Sequence, residues 1–297
     1  MISKKLLLIV NPRSGRAKMY TELLKVVEIF SAADYIVTVY PTRSQGDATN
    51  FILQLPEKDY DIIVVCGGDG TLNEVITGMM EADCQIPLGY IPSGTLNEWS
   101  SGLNISRNIE IAAKDIINGR RIRLDIGKFG DKYFSYTASF GAFTSASYSA
   151  PQDVKNVLGQ SAYFFEGLKS LAAIKPIHIK CKFENGELEG DYLFGAVSNS
   201  MSVGGIVKYD KTPVELNDGE FEVFLIKNPD NILKLQPIID GILKHEFDRE
   251  GIEFFKTRSL TIETEESLPW TLDGEFAETN GEIHINNVHN AITFIVP

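Results

Sequence analysis

Cysteine, histidine and tryptophan are scarce here, with three, four and two copies in 297 residues. Cys66, Cys84 and Cys181 are odd in number and scattered, without the spacing of a disulfide framework or a metal site, which points to a reducing, cytoplasmic setting. His178, His245, His284 and His289 also lack ligand spacing and read as structural or exposed. Basic charge is short: 28 Lys and Arg against 40 Asp and Glu give a net charge of −12. That balance disfavours nucleic acid as a partner and bulk attraction to anionic membranes. Long apolar runs are missing. The N-terminal run, residues 6–10, stops at Asn11-Pro12, too short for a secretory signal, and no run approaches the roughly 20 residues of a membrane span. Three nucleotide signatures are missing as well: G-x-x-x-x-G-K-[ST], the H-R-D and D-F-G pair, and G-x-G-x-x-G. P-loop NTPases, protein kinases and Rossmann dinucleotide sites are thereby unsupported.

What remains is an ordinary globular composition, 43% hydrophobic and 23% charged. Over the first 120 residues, short apolar strands (6–10, 35–40, 61–66, 88–91) alternate with helical patterns (19–30, 47–55, 71–80). This rhythm predicts an α/β domain with a parallel sheet. Near residue 121 the pattern changes to hairpins, 122–129 with 133–139 and 177–183 with 192–198. Further strands follow at 221–226, 260–264, 271–272, 282–285 and 291–296, with helices at 154–173 and 231–245. The expected division is a nucleotide-binding α/β domain at 1–124 and a β-rich, mainly antiparallel substrate domain at 125–297. The last strand is free to return to the first domain.

The strongest local signal is Gly67-Gly68-Asp69-Gly70-Thr71-Leu72-Asn73, which follows the most apolar strand and opens a helix. Glycines there let backbone N–H groups reach an anion, and a helix start adds partial positive charge. A tight Asp-Gly turn is the plainer reading, but a hairpin needs a strand after Gly70 and the pattern there is helical. Ser93-Gly94-Thr95-Leu96-Asn97-Glu98 repeats the arrangement after the fourth strand, and Asn11-Pro12-Arg13-Ser14-Gly15-Arg16 ends the first. Parallel neighbours bring all three loops to one edge. Late in the chain, Asp273 and Glu275 flank Gly274; one carboxylate suits proton abstraction, and a solvated hairpin turn is the bland alternative. Asp218-Gly219 is a similar acidic turn, suited either to a hard cation or to nothing but the turn itself.

Taken in order, Asn11-Pro12 with Ser14-Gly15, Thr42, the loop from Gly67 to Asn73, Gly94-Thr95 with Asn97, Asp125 with Gly127, Asp218-Gly219, and Leu272-Asp273-Gly274-Glu275 resemble the diacylglycerol kinase catalytic family. That family includes sphingosine kinases and bacterial lipid kinases. The resemblance implies two domains with a nucleotide cleft between them and transfer of the γ-phosphate of ATP to a lipid hydroxyl. It implies ATP contacts at Asn11, Ser14, Gly15, Thr42, Gly67, Gly68, Asp69, Gly70, Thr71, Leu72, Asn73, Thr95 and Asn97. It gives Asp273 or Glu275 the role of base. It places Asp69 and Asp125 in an acidic network around catalytic Mg²⁺, and a structural metal at Asp218 with carbonyl ligands near Glu215 and Glu220. It implies a cytoplasmic protein that meets its lipid by transient contact with the inner membrane surface; a homodimer is one assembly left open. The chain departs from the family pattern at Glu98, where Asp is usual, at the stretch Gly102-Leu103-Asn104-Ile105-Ser106, and at Phe276 after the second acid. The competing readings are a soluble-metabolite kinase of the NAD kinase type and a non-catalytic nucleotide- or lipid-binding module.

Overall fold

The computed structural model describes residues 4–14, 18–56, 59–95, 97–141, 175–200, 202–203, 207–208, 214–229, 231 and 234–297. The expected helix at 154–173 and Gly15 lie outside these residues. The protein is mixed α/β with strands predominating, and it divides into two compact units. The first comprises Met1–Asp125 with Asn290–Pro297, the second Ile126–His289.

In the first unit, strands β1 (Lys4–Val10), β2 (Tyr35–Pro41), β3 (Ile62–Gly67) and β4 (Leu88–Pro92) pair in parallel in the order β4-β3-β1-β2. Every residue of β3 and β4 is buried, as is the run from Leu6 to Val10. Consecutive burial of this kind requires cover on both faces. Helices α1 (Lys18–Ala32), α2 (Asp47–Leu53), α3 (Asp69–Glu81), α4 (Glu98–Gly102) and α5 (Ile109–Asn118) supply it, α2 packing on α3 and α1 on α5. Helix α5 escaped the sequence pattern, although its signals are present. Asn108 caps it by accepting the Ile111 N–H at 3.1 Å, and Ile109, Ala112, Ala113 and Ile116 form its buried stripe.

The second unit is antiparallel. Its strands are the continuation of β5 (Arg120–Phe129), then β6 (Lys132–Phe134), β7 (Thr137–Gly141), β8 (Ile177–Phe183), β9 (Gly186–Ser198), the short pair β10 (Ser202–Val203) and β11 (Val207–Lys208), β12 (Phe221–Lys227), β13 (Ile252–Thr257), β14 (Ser259–Leu272) and most of β15 (Glu275–Val296). Pairings run β7–β9, β9–β8, β8–β14 and β14–β7, a closed circuit. Trp270 is buried within it, with Phe129 and Phe140 edge-on at 4.9 and 4.8 Å. On the other face of β9 and β12, helix α6 (Leu235–Lys244) packs Leu235, Ile238 and Ile242 on Phe194, Phe224 and Ile226.

Two expectations need correction. The strand expected at 133–139 breaks at Ser135-Tyr136: β6 pairs with β5, whereas β7 pairs with β9 and β14. The break occurs where backbone N–H groups turn toward Asp273 instead of a strand partner. The four short strands expected after residue 259 are two long ones, β14 and β15, joined by a two-residue turn, and β13 was not foreseen.

Candidate active site

Because β4, β3, β1 and β2 are parallel neighbours, their following loops emerge at one edge of the first unit's sheet. Hydrogen bonds tie the loops together. Asn11 donates its side-chain amide to Thr71 Oγ1 at 2.9 Å and its backbone N–H to the Cys66 carbonyl at 2.9 Å. Ser14 and Ser93 share a hydroxyl–hydroxyl bond at 2.7 Å, Ser93 N–H meets the Gly67 carbonyl at 2.8 Å, and Thr42 N–H meets the Val10 carbonyl at 2.8 Å. Glycine is required where two loops touch: a Cβ on Gly94 would lie 2.6 Å from Gly68 Cα and 2.8 Å from Asn97 Oδ1. The cluster therefore presents Gly68, Gly70 and the first turn of α3, whose N–H groups have no partner within the helix. Thr95 is exposed on the loop after β4 and Thr42 half-buried on the loop after β2.

Individual side chains play different parts. Thr71 is buried and receives Asn11; the Leu72 side chain is wholly in the core and its N–H is donated to the Gly68 carbonyl at 3.1 Å, so neither is left for a nucleotide. Asn97, expected to contact nucleotide, spends its amide within its own loop. Its Oδ1 accepts from Gly94 N–H at 2.9 Å and Tyr90 Oη at 3.1 Å, and its Nδ2 donates to the Gly94 carbonyl at 2.8 Å. It shapes the loop, from a left-handed backbone position at φ 51°. Asp69 turns Oδ2 to the Glu98 N–H at 3.0 Å, capping α4 across space. Burial holds its carboxyl above the usual range against that pull. Its Oδ1 and the Asn73 Oδ1, one helical turn apart, are buried without a hydrogen-bond partner among the described residues. Two hard oxygen donors left in this state fit a divalent cation accompanying phosphates. Asp125 is fully buried and accepts the Asn290 N–H at 2.6 Å within the same unit, a structural engagement the sequence did not reveal.

In the second unit, β14 and β15 meet in a two-residue turn with Asp273 at φ 50° and Gly274 at φ 91°, the backbone of a type I′ hairpin. The bland alternative, a turn of solvated acids, fails for the first of them. Asp273 is buried, and its two oxygens accept from Ser135 N–H, Ser135 Oγ (2.7 Å), Tyr136 N–H (3.0 Å) and Thr137 N–H (2.9 Å). Burial pushes its carboxyl up to about 6, against the four donors that hold it down. Glu275, two residues on, is exposed, and so is the Phe276 ring. Ser135 carried no sequence signal, since only the fold brings it to residue 273.

The Asp218 turn does not present an open metal cage. Oδ1 accepts the Glu220 N–H at 3.0 Å, Oδ2 takes the Lys256 ammonium at 3.0 Å, and the Glu220 carbonyl accepts Asn287 Nδ2 at 3.2 Å; Glu215 is exposed. Among the described residues no group of three or more His, Cys, Asp or Glu is placed to hold a metal. Lys256 already meets the negative charge there, together with Glu222 at 3.2 Å. Burial pushes the Glu222 carboxyl up to about 7, against the pull of that lysine.

The family model of the diacylglycerol kinase catalytic domain matches residues 5–129. The diacylglycerol kinase of Bacillus subtilis is 32% identical over 275 residues, covering 92% of this chain and 90% of that protein. That of Staphylococcus saprophyticus is 30% identical over 274 residues, covering 92% and 89%. A crystal structure from Bacillus anthracis bearing the same family name superposes with a TM-score of 0.83 at 30% identity, over 99% of this chain and 95% of that one. The chain therefore belongs to the diacylglycerol kinase family, phosphotransferases with an alcohol acceptor.

Proposed function

We propose that this protein transfers the γ-phosphate of ATP to the hydroxyl of a lipid of the diacylglycerol type. The observation that carries the reading is the hydrogen-bonded cluster of three strand-end loops, with glycines where phosphates need close approach. Backbone N–H groups of Gly68, Gly70 and the start of α3 bind the phosphates, and Asn11, Ser14, Gly15, Thr42 and Thr95 complete the nucleotide's surroundings. Asp69 and Asn73 would hold Mg²⁺, whose charge offsets that of the phosphates. The acceptor oxygen attacks the γ-phosphorus in line, its bond to phosphorus forms as the bond to the departing ADP breaks, and a carboxylate takes the hydroxyl proton. Glu275 is that base. Asp273 has both oxygens engaged by four donors, so it positions the turn and has little capacity left to accept a proton from substrate. The exposed ring of Phe276 beside Glu275 offers apolar contact to the lipid. No helix among the described residues is long and apolar enough to cross a membrane. The protein works as a cytoplasmic enzyme that touches the inner membrane surface from the water side. Radiolabelled ATP, micellar dioctanoylglycerol and free NAD in parallel reactions test the proposal. Label in the lipid supports it; label in NAD, or ATP bound without transfer, goes against it.

A further inference from the structure

One face of the second unit's sheet is apolar where α6 packs on Phe194, Phe224, Ile226 and Phe254. Two residues further along the strands it turns polar. Lys256 on β13 lies opposite Glu222 on β12, Glu222 opposite Ser198 on β9, and Ser198 opposite Thr137 on β7. Directly opposed residues project to the same face, so these four form one transverse row. The row ends at Asp273, whose Oδ1 accepts the Thr137 N–H and whose N–H is donated to the Thr137 carbonyl, each at 2.9 Å.

Glu222 is 0% exposed. Lys256 holds Glu222 Oε1 at 3.2 Å, and among the described residues Glu222 Oε2 and Thr137 Oγ1 have no hydrogen-bond partner. Buried polar atoms left in that condition lower stability, and a ligand that supplies the missing bonds is one reason for a fold to retain them. We propose that Glu222 and Thr137 bind hydroxyl groups of the acceptor's polar head other than the one that is phosphorylated. The charges around Glu222 select this chemistry. An anionic head would face a carboxyl group, and a cationic head would compete with Lys256, whose ammonium already stands 3.2 Å from Glu222 Oε1. A neutral hydroxyl donates to the carboxyl and accepts from the threonine. The two side chains sit two strand spacings apart, roughly 10 Å, a span that a glycerol- or sugar-sized head reaches.

The proposal rests on the lipid-acceptor reading above, and the test separates the two. Affinities of monooctanoylglycerol, with two free hydroxyls, and dioctanoylglycerol, with one, are measured by calorimetry below micellar concentrations. The proteins are wild type, Glu222→Leu and Thr137→Val. The ratio of mono- to diacyl affinity is expected to fall about tenfold in Glu222→Leu, the worth of one hydrogen bond to a charged group, and by a smaller factor in Thr137→Val. Glu222→Leu is also expected to melt higher than wild type. An unchanged ratio in both variants overturns the proposal, and so does an unchanged ratio in Thr137→Val if the leucine variant does not fold. Phosphate transfer is followed separately. A ratio that falls without any transfer in wild type removes the kinase reading and leaves the hydroxyl site standing.

Discussion

Asp273 and Glu275 are separated by one glycine yet stand in opposite surroundings. The first is buried under four donors; the second is exposed. Removing each has a different outcome. Asp273→Ala strips the acceptor from three consecutive buried or half-buried backbone N–H groups, and unmet donors of this kind cost about 1–3 kcal/mol each. A loss of about 3 kcal/mol or more is expected in urea unfolding. Glu275→Gln is expected to leave stability within about 0.5 kcal/mol and to lower kcat about 10³-fold, the range of a lost general base. The raised carboxyl of Asp273 also has a pH signature. Its folded value, about 6, exceeds the ordinary 3.8, so between these values the native state holds the proton more tightly than the unfolded chain. Stability from this group is therefore full below about pH 4 and is lost as pH rises through 6, by roughly 3 kcal/mol for a shift of about two units. Melting curves of wild type and Asp273→Asn from pH 4 to 8 check this: the wild type should lose ground against the variant as pH rises.

At the scale of elements, the decisive contact is glycine on glycine between the loops after β3 and β4. Gly94→Ala places a methyl group into Gly68 Cα, where no flexible side chain can give way. The loops must part, and KM for ATP is expected to rise at least about tenfold with the protein still folded. This juxtaposition was partly legible beforehand. Residues 62–66 and 88–91 lack polar alternation; the first runs into Gly67-Gly68 and the second is ended by Pro92 with Gly94 following, each before a helix, so parallel pairing and a shared edge follow from periodicity and turn chemistry. The break at Ser135-Tyr136 was not legible. Its cause is a carboxylate 138 residues away along the chain, and local pattern carries no trace of such a partner. Likewise Asn97 was expected to contact nucleotide because the family resemblance runs through Gly94-Thr95 with Asn97. Tyr90, which fixes it, shows in the sequence only as one more strand residue.

For the whole molecule, β5 and β15 each belong to both units, so the first unit is assembled from two separate stretches of sequence while the second, Ile126–His289, is continuous. The change from helical to strand periodicity near residue 121 marks one crossing. The second, within a strand of 22 residues, falls at Asn290, whose backbone is left-handed at φ 52°; the sequence pattern showed it only as the gap between the strands expected at 282–285 and 291–296. The identity of the acidic turn at Asp218 also emerged only in three dimensions, because Lys256 reaches it from a strand that sequence pattern passed over. Removing divalent cations with a chelator is accordingly expected to abolish phosphate transfer while moving Tm by no more than about 2 °C. A large drop in Tm, restored by Mg²⁺, would show a resident structural ion. The most direct measurement is transfer of label from γ-labelled ATP to dioctanoylglycerol by purified wild type, Glu275→Gln and Gly94→Ala. Labelled phosphatidic acid formed by the wild type, nearly absent with Glu275→Gln and recovered in Gly94→Ala only at high ATP, is the expected result. Equal labelling by the wild type and Glu275→Gln, or none by the wild type, would contradict it.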